Sequence, residues 1–247
     1  MTKALIIIPA RMASSRFPGK PLININGKTM IERVWECAIK ADVGDVYVAC
    51  CDKPVKNLLI EKKIPHIYTK KNLKTGTDRV YHAFLKIKNK LNYNLIINLQ
   101  GDIPYLNSNH LRSLFKILKN KNYHMATLAS KIKDFEKIED KNIVKIAMTK
   151  CNDNVYRAIY FSRLPIPYGS KEYYEHIGIY GYTPKILKEF VSMTNSKLES
   201  TEKLEQLRAL ENLVSIYVGI VKDPPISIDT PTDLKKLKNI LNKRKKS

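Results

Sequence analysis

Short apolar segments alternate with amphipathic segments along the first half of the chain, and this alternation restricts the fold more than any other feature. The apolar segments are rich in β-branched residues, as strands are, whereas the segments between them carry apolar residues at helical spacing. The predicted strands are 5–8, 45–50, 65–68 and 94–99, and the predicted helices are 29–41, 53–63, 79–90 and one from about 107. Strands and helices that alternate in this way form βαβ crossovers. The sequence therefore predicts an α/β fold with a parallel sheet.

The first predicted strand runs directly into a loop that is rich in cations. Pro9 stops the apolar strand, and Arg11, Arg16 and Lys20 follow within ten residues, with small side chains between them. Ligands of open α/β sheets bind at the carboxyl ends of strands, and fixed cations beside accessible backbone amides suit a triphosphate. The loop is not a P-loop, because Pro21 follows Lys20 where that motif has Ser or Thr. An ordinary loop with solvated cations remains the alternative.

Two aspartates stand at the ends of predicted elements. Asp102 follows the apolar strand 94–99, and Asp229 precedes Thr230 and Pro231, which together form a strong helix start. The position of Asp102, just past a strand, can hold a divalent cation that bridges bound phosphates. Asp102 can equally cap a helix or close a turn.

Beyond residue 125 the alternation breaks. Strands are predicted over 125–130, 143–149 and 155–161, and the last two form a hairpin around the turn 151–154. The hairpin indicates an antiparallel extension on the parallel sheet, which would provide a substrate wall or a dimer surface.

Three local predictions concern segments that carry candidate residues. The helix 79–90 is predicted to be capped by Thr77 or Asp78. Glycines alternate with large residues over 176–182. This pattern predicts a strand in which another group packs closely against the backbone. A continuous helix is predicted over 199–212, with leucines on one face and Glu202, Glu205 and Gln206 off that face.

Composition limits the class of protein. The chain has 247 residues, enough for one large domain, and its hydrophobic and charged fractions of 44% and 27% are those of a globular protein. The formal net charge of +21 permits nucleic-acid binding. The lysines are scattered instead of forming one stripe. A general enrichment in Lys, Asn and Ile, as an AT-rich coding sequence would give, explains the net charge at least as well as nucleic-acid binding does.

The cysteines and the apolar runs bear on location. The four cysteines include no CxxC pair, which indicates neither a zinc knuckle nor a disulfide framework. The apolar run near the amino terminus is too short for a signal peptide, and no run is long enough to span a membrane. A cytoplasmic protein with reduced thiols is expected.

Seven segments, taken together and in this order, resemble those of the 3-deoxy-manno-octulosonate cytidylyltransferase family. They are PARMASSRFPGKPL, TGTDR, NLQGD, FSRLPIP, HIGIYGY, LEQLRAL and DTPTDL, and they extend over nearly the whole chain. The resemblance implies a single nucleotidyltransferase domain over 1–247 with a mostly parallel, Rossmann-like three-layer αβα sheet. It implies that roughly 125–182 form a hairpin insertion for dimerisation and sugar binding, and that the protein is a homodimer.

The implied reaction is the transfer of CMP from CTP to the acid sugar Kdo, with release of pyrophosphate, for lipopolysaccharide or capsule synthesis. Catalysis would depend on Arg11, Lys20, Asp102 and Asp229, and the last two would hold Mg²⁺. The residues implied for nucleotide binding are Pro9, Ala10, Arg11, Ser14, Arg16, Lys20, Thr75 and Gly76. Those implied for the sugar are Arg79, which would pair with its carboxylate, and Gln100, His176, Tyr180, Glu205 and Gln206, with Glu202 a weaker candidate.

Two departures from the family pattern leave the sugar open. Ile103 stands where the family has a glutamate, and Cys50-Cys51-Asp52 replaces the usual ATD. The same reaction on 8-amino-Kdo, a sialic acid or a pseudaminic-type sugar is therefore an alternative. A basic nucleic-acid-binding protein is a more distant one, and the expected partners are the two small substrates without nucleic acid or membrane.

Overall fold

The computed structural model describes residues 3–13 and 17–246, with side chains as far as Leu241. The strands of this part are β1 (Ala4–Ala10), β2 (Asn24–Ile25), β3 (Lys28–Thr29), β4 (Gly44–Cys50), β5 (His66–Tyr68), β6 (Leu95–Asn98), β7 (Met125–Lys131), β8 (Lys145–Asn152), β9 (Val155–Ser162), β10 (Tyr174–Tyr182) and β11 (Tyr217–Val221). The α-helices are α1 (Met30–Ile39), α2 (Lys53–Glu61), α3 (Gly76–Lys86), α4 (Ser108–Leu118), α5 (Glu136–Glu139), α6 (Pro184–Ser192), α7 (Lys197–Glu202), α8 (Leu207–Glu211) and α9 (Pro231–Lys246).

The chain divides into two compact units. The first unit comprises Leu5–Asn92, Asn98–Ser108 and the described residues from Pro225 onward. The second unit comprises Tyr93–Ile97 and Asn109–Pro224, together with Lys3 and Ala4.

The first unit contains most of the predicted strand–helix alternation, through β5 and α3. Its strands lie in the order β5-β4-β1, and β4 and β5 are parallel, as expected for strands joined by a crossover helix. The side chains of Leu5–Ile8 in β1 are fully buried. Helix α1 begins at a reciprocal cap, because the hydroxyl of Thr29 accepts from the amide of Glu32 while the Glu32 carboxylate accepts from the amide of Thr29.

A small apolar cluster ties the last helix to this unit. Ile228 and Leu237 pack with Ile25 and Met30, and all four are buried. The amide of Ile228 also donates to the carbonyl of Asp102 at 2.9 Å. These contacts hold the segment that carries Asp229 beside the segment that carries Asp102.

The second unit is mainly antiparallel. Its strands lie in the order β6-β10-β7-β11-β9-β8, and β10 also pairs with β8, which closes a ring of five strands. Within that ring, β7 and β11 are parallel and the other four pairs are antiparallel. The predicted α/β class is confirmed, and so is the β8–β9 hairpin, but the sheet combines parallel and antiparallel strands instead of being mostly parallel with one hairpin. The antiparallel part is larger than one hairpin, because β10 returns between β7 and β8.

Three local predictions need correction. Helix α3 begins at Gly76 with Thr75 as its cap, not at Arg79, because the Thr75 hydroxyl and the Asp78 carboxylate form a capping box. The predicted helix 199–212 is two helices, interrupted at Lys203, whose φ of 58° is left-handed. The predicted close approach to the backbone of the glycine-containing strand is found at only one of its two glycines. A Cβ at Gly181 would lie 2.2 Å from Cδ1 of Leu118, whereas a Cβ at Gly178 would meet nothing within 4 Å.

Candidate functional site

A cleft of about 260 Å³ in the first unit collects the predicted nucleotide residues. Its lining comes from the end of β1 and the loop after it, from the start of α3, from the segment after β6 and from the residues just before α9. The lining residues are Pro9, Ala10, Arg11, Lys20, Pro21, Thr75, Gly76, Arg79, Gln100, Gly101, Asp102 and Asp229. Ser14 and Arg16, which were also predicted here, lie outside the described residues.

Lys20 stands between the two predicted carboxylates. Its Nζ donates to Oδ2 of Asp102 at 2.9 Å and to Oδ1 of Asp229 at 3.0 Å. Burial lowers the pKa of Lys20, but the two carboxylates more than offset this effect, so the pKa lies above its ordinary value. Burial raises the pKa of Asp102, and the ammonium of Lys20 works against that rise. The two carboxylates therefore share a cation.

Hydrogen bonds in the preceding loop fix the backbone that carries Lys20. Lys20 begins a single 3₁₀ turn, Lys20–Leu22, directly after Gly19, whose φ of 75° suits glycine. The Gly19 amide donates to the carbonyl of Met12, and the Met12 amide donates to Oδ2 of Asp52 at 2.8 Å. Asp52 thus orients the cationic loop. The sequence had shown Asp52 only as part of a departure from the family pattern.

Asp229 is held by the start of α9. The Asp233 carboxylate accepts from the amides of Asp229 and Thr230, at 3.1 and 2.8 Å, and from the Thr230 hydroxyl. These hydrogen bonds lower the pKa of Asp233 although burial works in the opposite direction. Asp233 was not predicted as a site residue, yet its spacing from Thr230 is that of a capping box.

The oxygen donors of this cleft suit a hard divalent cation. Two carboxylates already converge on one positive charge, and Mg²⁺ is commonly held by one or two carboxylates together with phosphate oxygens and water. No group of three or more His, Cys, Asp or Glu side chains in the described part of the chain is placed to hold a metal. A cation here would therefore take its remaining ligands from substrate or solvent.

Arg79 and Gln100 line the same cleft. Arg79 is 1% exposed, and its Nη1 donates to the hydroxyl of Thr69 at 2.5 Å and to the carbonyl of Lys70 at 3.0 Å. The side chain is thus fixed in position. Gly101, which follows Gln100, packs so closely that a Cβ would lie 2.8 Å from the carbonyl oxygen of Pro9. The need for a glycine at position 101 could be recognised only once the fold was known.

The other predicted sugar residues belong to the second unit. His176 lies in β10, with its Nε2 3.1 Å from Oγ1 of Thr127, and its ring contacts those of Phe161 and Tyr180. Burial lowers the pKa of His176 to about 3, so the imidazole is neutral at neutral pH. Burial, Tyr182 and Glu205 raise the pKa of Tyr180 well above its ordinary value.

Glu205 and Gln206 lie in the turn between α7 and α8. Gln206 is 6% exposed, although the sequence pattern had placed it off the apolar face. Arg208 was not predicted, but it organises this turn: its guanidinium contacts the carboxylates of Glu199 and Glu205 and lies 4.9 Å from the ring centre of Phe190. Glu202 accepts from the Ser162 hydroxyl and the Arg163 amide, at 2.7 and 3.1 Å.

Comparison with known proteins identifies the class. A model of the cytidylyltransferase family matches residues 5–216. The chain is 43% identical over 231 residues to the 3-deoxy-manno-octulosonate cytidylyltransferase of Rickettsia prowazekii, which covers 94% of this chain and 92% of the relative. It is 42% identical over 237 residues to the enzyme of the same name from Bartonella tribocorum, which covers 96% and 98%.

A solved structure agrees with these relatives. The structure of CMP:2-keto-3-deoxy-manno-octonic acid synthetase complexed with CTP is 32% identical and superposes with a TM-score of 0.90, over 98% of this chain and 100% of that one. The fold is thus the one found in that nucleotidyltransferase. The chain belongs to the cytidylyltransferase family, and within it to the 3-deoxy-manno-octulosonate cytidylyltransferases.

No helix in the described part of the chain combines the length and the apolar character that crossing a membrane requires.

Proposed function

We propose that the protein transfers CMP from CTP to the 2-hydroxyl of Kdo and releases pyrophosphate. The observation that carries the proposal is the convergence of Lys20, Asp102 and Asp229 in one cleft, in a chain whose relatives at about 40% identity are named for this reaction. Attack of a sugar oxygen on the α-phosphate requires the triphosphate to be held and its developing charge to be neutralised. Cations and carboxylates in one cleft meet both needs.

The nucleotide is assigned to the cleft of the first unit. Arg11 and Lys20 would bind the triphosphate, and the backbone of Pro9, Ala10 and Arg11 would lie near the cytosine. Helix α3 begins at Gly76 in the same cleft, and the amides of a helix's first turn attract phosphate. Ser14 and Arg16 complete the assignment from the sequence.

Asp102 and Asp229 would hold Mg²⁺ together with phosphate oxygens. When bound, the metal would neutralise charge on the phosphates and lower the pKa of the sugar hydroxyl. Asp233 would keep the Asp229 carboxylate in place, because its own carboxylate accepts hydrogen bonds from the backbone amides of Asp229 and Thr230. A separate histidine base is not required.

The sugar residues are assigned from the family resemblance. Arg79 would pair with the Kdo carboxylate, and Gln100 would bind a sugar oxygen. His176, Tyr180, Glu205 and Gln206 would bind hydroxyl groups, with Glu202 a weaker candidate. Burial lowers the pKa of His176 to about 3, which makes the imidazole a weak base, so His176 suits the orientation of a hydroxyl better than proton transfer.

The remaining features are proposed with the reaction. The protein would work as a cytoplasmic homodimer that uses the region 125–182, without nucleic acid or membrane. The alternation of β1, β4 and β5 with α1, α2 and α3, and the parallel pairing of β4 with β5, support a Rossmann-like layered arrangement around the nucleotide.

The experiment that tests the function measures pyrophosphate release by the purified protein with Mg²⁺. CTP is compared with ATP, GTP and UTP, and Kdo with 8-amino-Kdo, a sialic acid and a pseudaminic-type sugar. Release with CTP and Kdo alone is expected. Release with another acid sugar would move the specificity and direct attention to Ile103, whereas no release with any pair would overturn the proposal.

A further inference from the structure

The ammonium of Lys20 lies where a metal shared by Asp102 and Asp229 would have to lie. Its Nζ is 2.9 Å from one carboxylate and 3.0 Å from the other. Oxygen ligands of Mg²⁺ lie about 2.1 Å from the ion. A metal that contacted both carboxylates would therefore take up the same space, and two cations cannot share it.

Backbone hydrogen bonds hold the carboxylates of Asp102 and Asp229 near each other, so their positions do not depend on Lys20 alone. The Ile228 amide donates to the Asp102 carbonyl at 2.9 Å, which ties the two acidic segments together through their backbones. The Asp233 carboxylate fixes the amide of Asp229 from the other side. The side chain of Lys20 is 13% exposed, against 24% for Asp102 and 36% for Asp229. Removal of the ammonium would thus leave two neighbouring carboxylates in place.

We propose that Lys20 is an exchangeable counter-cation of this carboxylate pair. It neutralises Asp102 and Asp229 until CTP binds with its metal, and it then leaves the carboxylates for the phosphates of the nucleotide. The exchange rests on the proposed function, which assigns the metal to the two aspartates and the triphosphate to Lys20. Lys20 is then the residue that links metal binding to nucleotide binding.

The exchange makes the binding of metal depend on the nucleotide. Metal alone must displace an ammonium that is tethered beside the two carboxylates and hydrogen-bonded to both. The triphosphate offers the ammonium a new partner, so metal and CTP strengthen each other's binding, with a typical coupling of about 5- to 150-fold. Direct contacts between the metal and the phosphates also couple the two ligands. The effect that distinguishes the exchange is that removal of the ammonium strengthens metal binding in the absence of nucleotide.

The test measures Mn²⁺ affinity without nucleotide, from the free Mn²⁺ signal in electron paramagnetic resonance. Lys20→Met, which keeps an unbranched side chain one atom shorter and without the charge, is compared with the wild type. Lys28→Met is the matched control, because Lys28 pairs with Glu36 on an exposed surface of the same unit. We expect Lys20→Met to bind Mn²⁺ about tenfold more tightly than the other two proteins and to bind CTP more weakly.

Two further variants assign the gain to the carboxylate pair. Lys20→Arg retains a cation and should keep the weak Mn²⁺ binding of the wild type. Asp229→Asn added to Lys20→Met should abolish the gain. If Lys20→Met lowers the melting temperature, added Mn²⁺ should raise that temperature more in the variant than in the wild type.

Unchanged or weaker Mn²⁺ binding by Lys20→Met, or an equal rise in melting temperature, would overturn the exchange. If the wild type in the same preparation still releases pyrophosphate from CTP and Kdo, the proposed function survives that result. Conversely, if the wild type turns over no acid sugar while Lys20→Met binds Mn²⁺ more tightly, the function is refuted, and only the competition between Lys20 and the metal for the two carboxylates is supported.

Discussion

The carboxylate of Asp229 shows how single residues define this site. It lies 209 residues from Lys20 in sequence, yet the two form an ion pair, and Asp102 joins them from 82 residues away. Local patterns marked each of the three as a candidate, because Lys20 lies in a cationic loop after the first strand and each aspartate stands at the end of a predicted element. Their convergence on one cation could not be read from the sequence, since it depends on how separate segments pack.

Asp102→Asn and Asp229→Asn test the carboxylates at this scale. Each replacement keeps the size of the side chain but removes its charge, so the fold should persist while turnover falls at least about 100-fold, as expected when charge stabilisation in a site is lost. Pyrophosphate release checks the activity, and circular dichroism checks the fold. Asp153→Asn, in a side chain that is 95% exposed, is the control and should retain activity. Wild-type rates in either site variant would contradict the assignment.

His176 predicts a pH dependence of stability. Its pKa is about 3 in the folded protein, against an ordinary value of 6.5, so below about pH 6.5 the unfolded chain binds a proton that the folded chain does not. Stability therefore falls as the pH is lowered through that window. Between pH 7 and pH 5 we expect His176 to account for a loss of about 1–2 kcal/mol, after allowance for partial solvent screening.

Urea denaturation of the wild type and of His176→Asn at both pH values measures this contribution. The variant should lose about 1–2 kcal/mol less than the wild type between pH 7 and pH 5. Equal losses in the two proteins would mean that His176 is protonated in the fold.

At the scale of elements, the strands and most helices of the first unit could be predicted because apolar spacing and capping residues are local signals. The helix 199–212 could not be predicted as a broken one. Its residues favour a continuous helix, but Glu202 accepts hydrogen bonds from Ser162 and Arg163, about forty residues away, and the chain turns at Lys203 with a left-handed φ. Tertiary contacts overrode local propensity there.

Gly101→Ala tests the close packing behind the cleft. The new Cβ would lie 2.8 Å from the carbonyl oxygen of Pro9, so the backbone that lines the cleft must shift. Overpacking of this kind costs about 1–3 kcal/mol, and CTP affinity should fall as well. Gly178→Ala is the control, because nothing lies within 4 Å of its Cβ position. Urea denaturation should show a clear loss for Gly101→Ala and little change for Gly178→Ala, and equal effects would refute the packing argument.

At the scale of the whole molecule, the formal net charge of +21 had left a nucleic-acid-binding protein as an alternative. Composition could not decide the matter, because the arrangement of charges carries the information. The membership of the cytidylyltransferase family favours a small-molecule substrate, and the cleft where Lys20 meets Asp102 and Asp229 is where it would bind.

Nucleotide binding should stabilise the entire protein. A ligand that binds only the folded state adds about 2.7 kcal/mol at 100 times its dissociation constant. CTP with Mg²⁺ should therefore raise the melting temperature, and UTP at the same concentration should raise it less. Differential scanning fluorimetry measures both shifts, and an equal response to the two nucleotides would argue against a cytidine site.

The most direct test of the central claim follows the α-phosphorus of CTP. The protein is incubated with Mg²⁺, Kdo and CTP labelled at the α-phosphate, and the products are separated and weighed by mass spectrometry. The account predicts that the label appears in CMP-Kdo, with one pyrophosphate released for each sugar. Label that stays in CTP, or that is released as free CMP without a sugar conjugate, would contradict it.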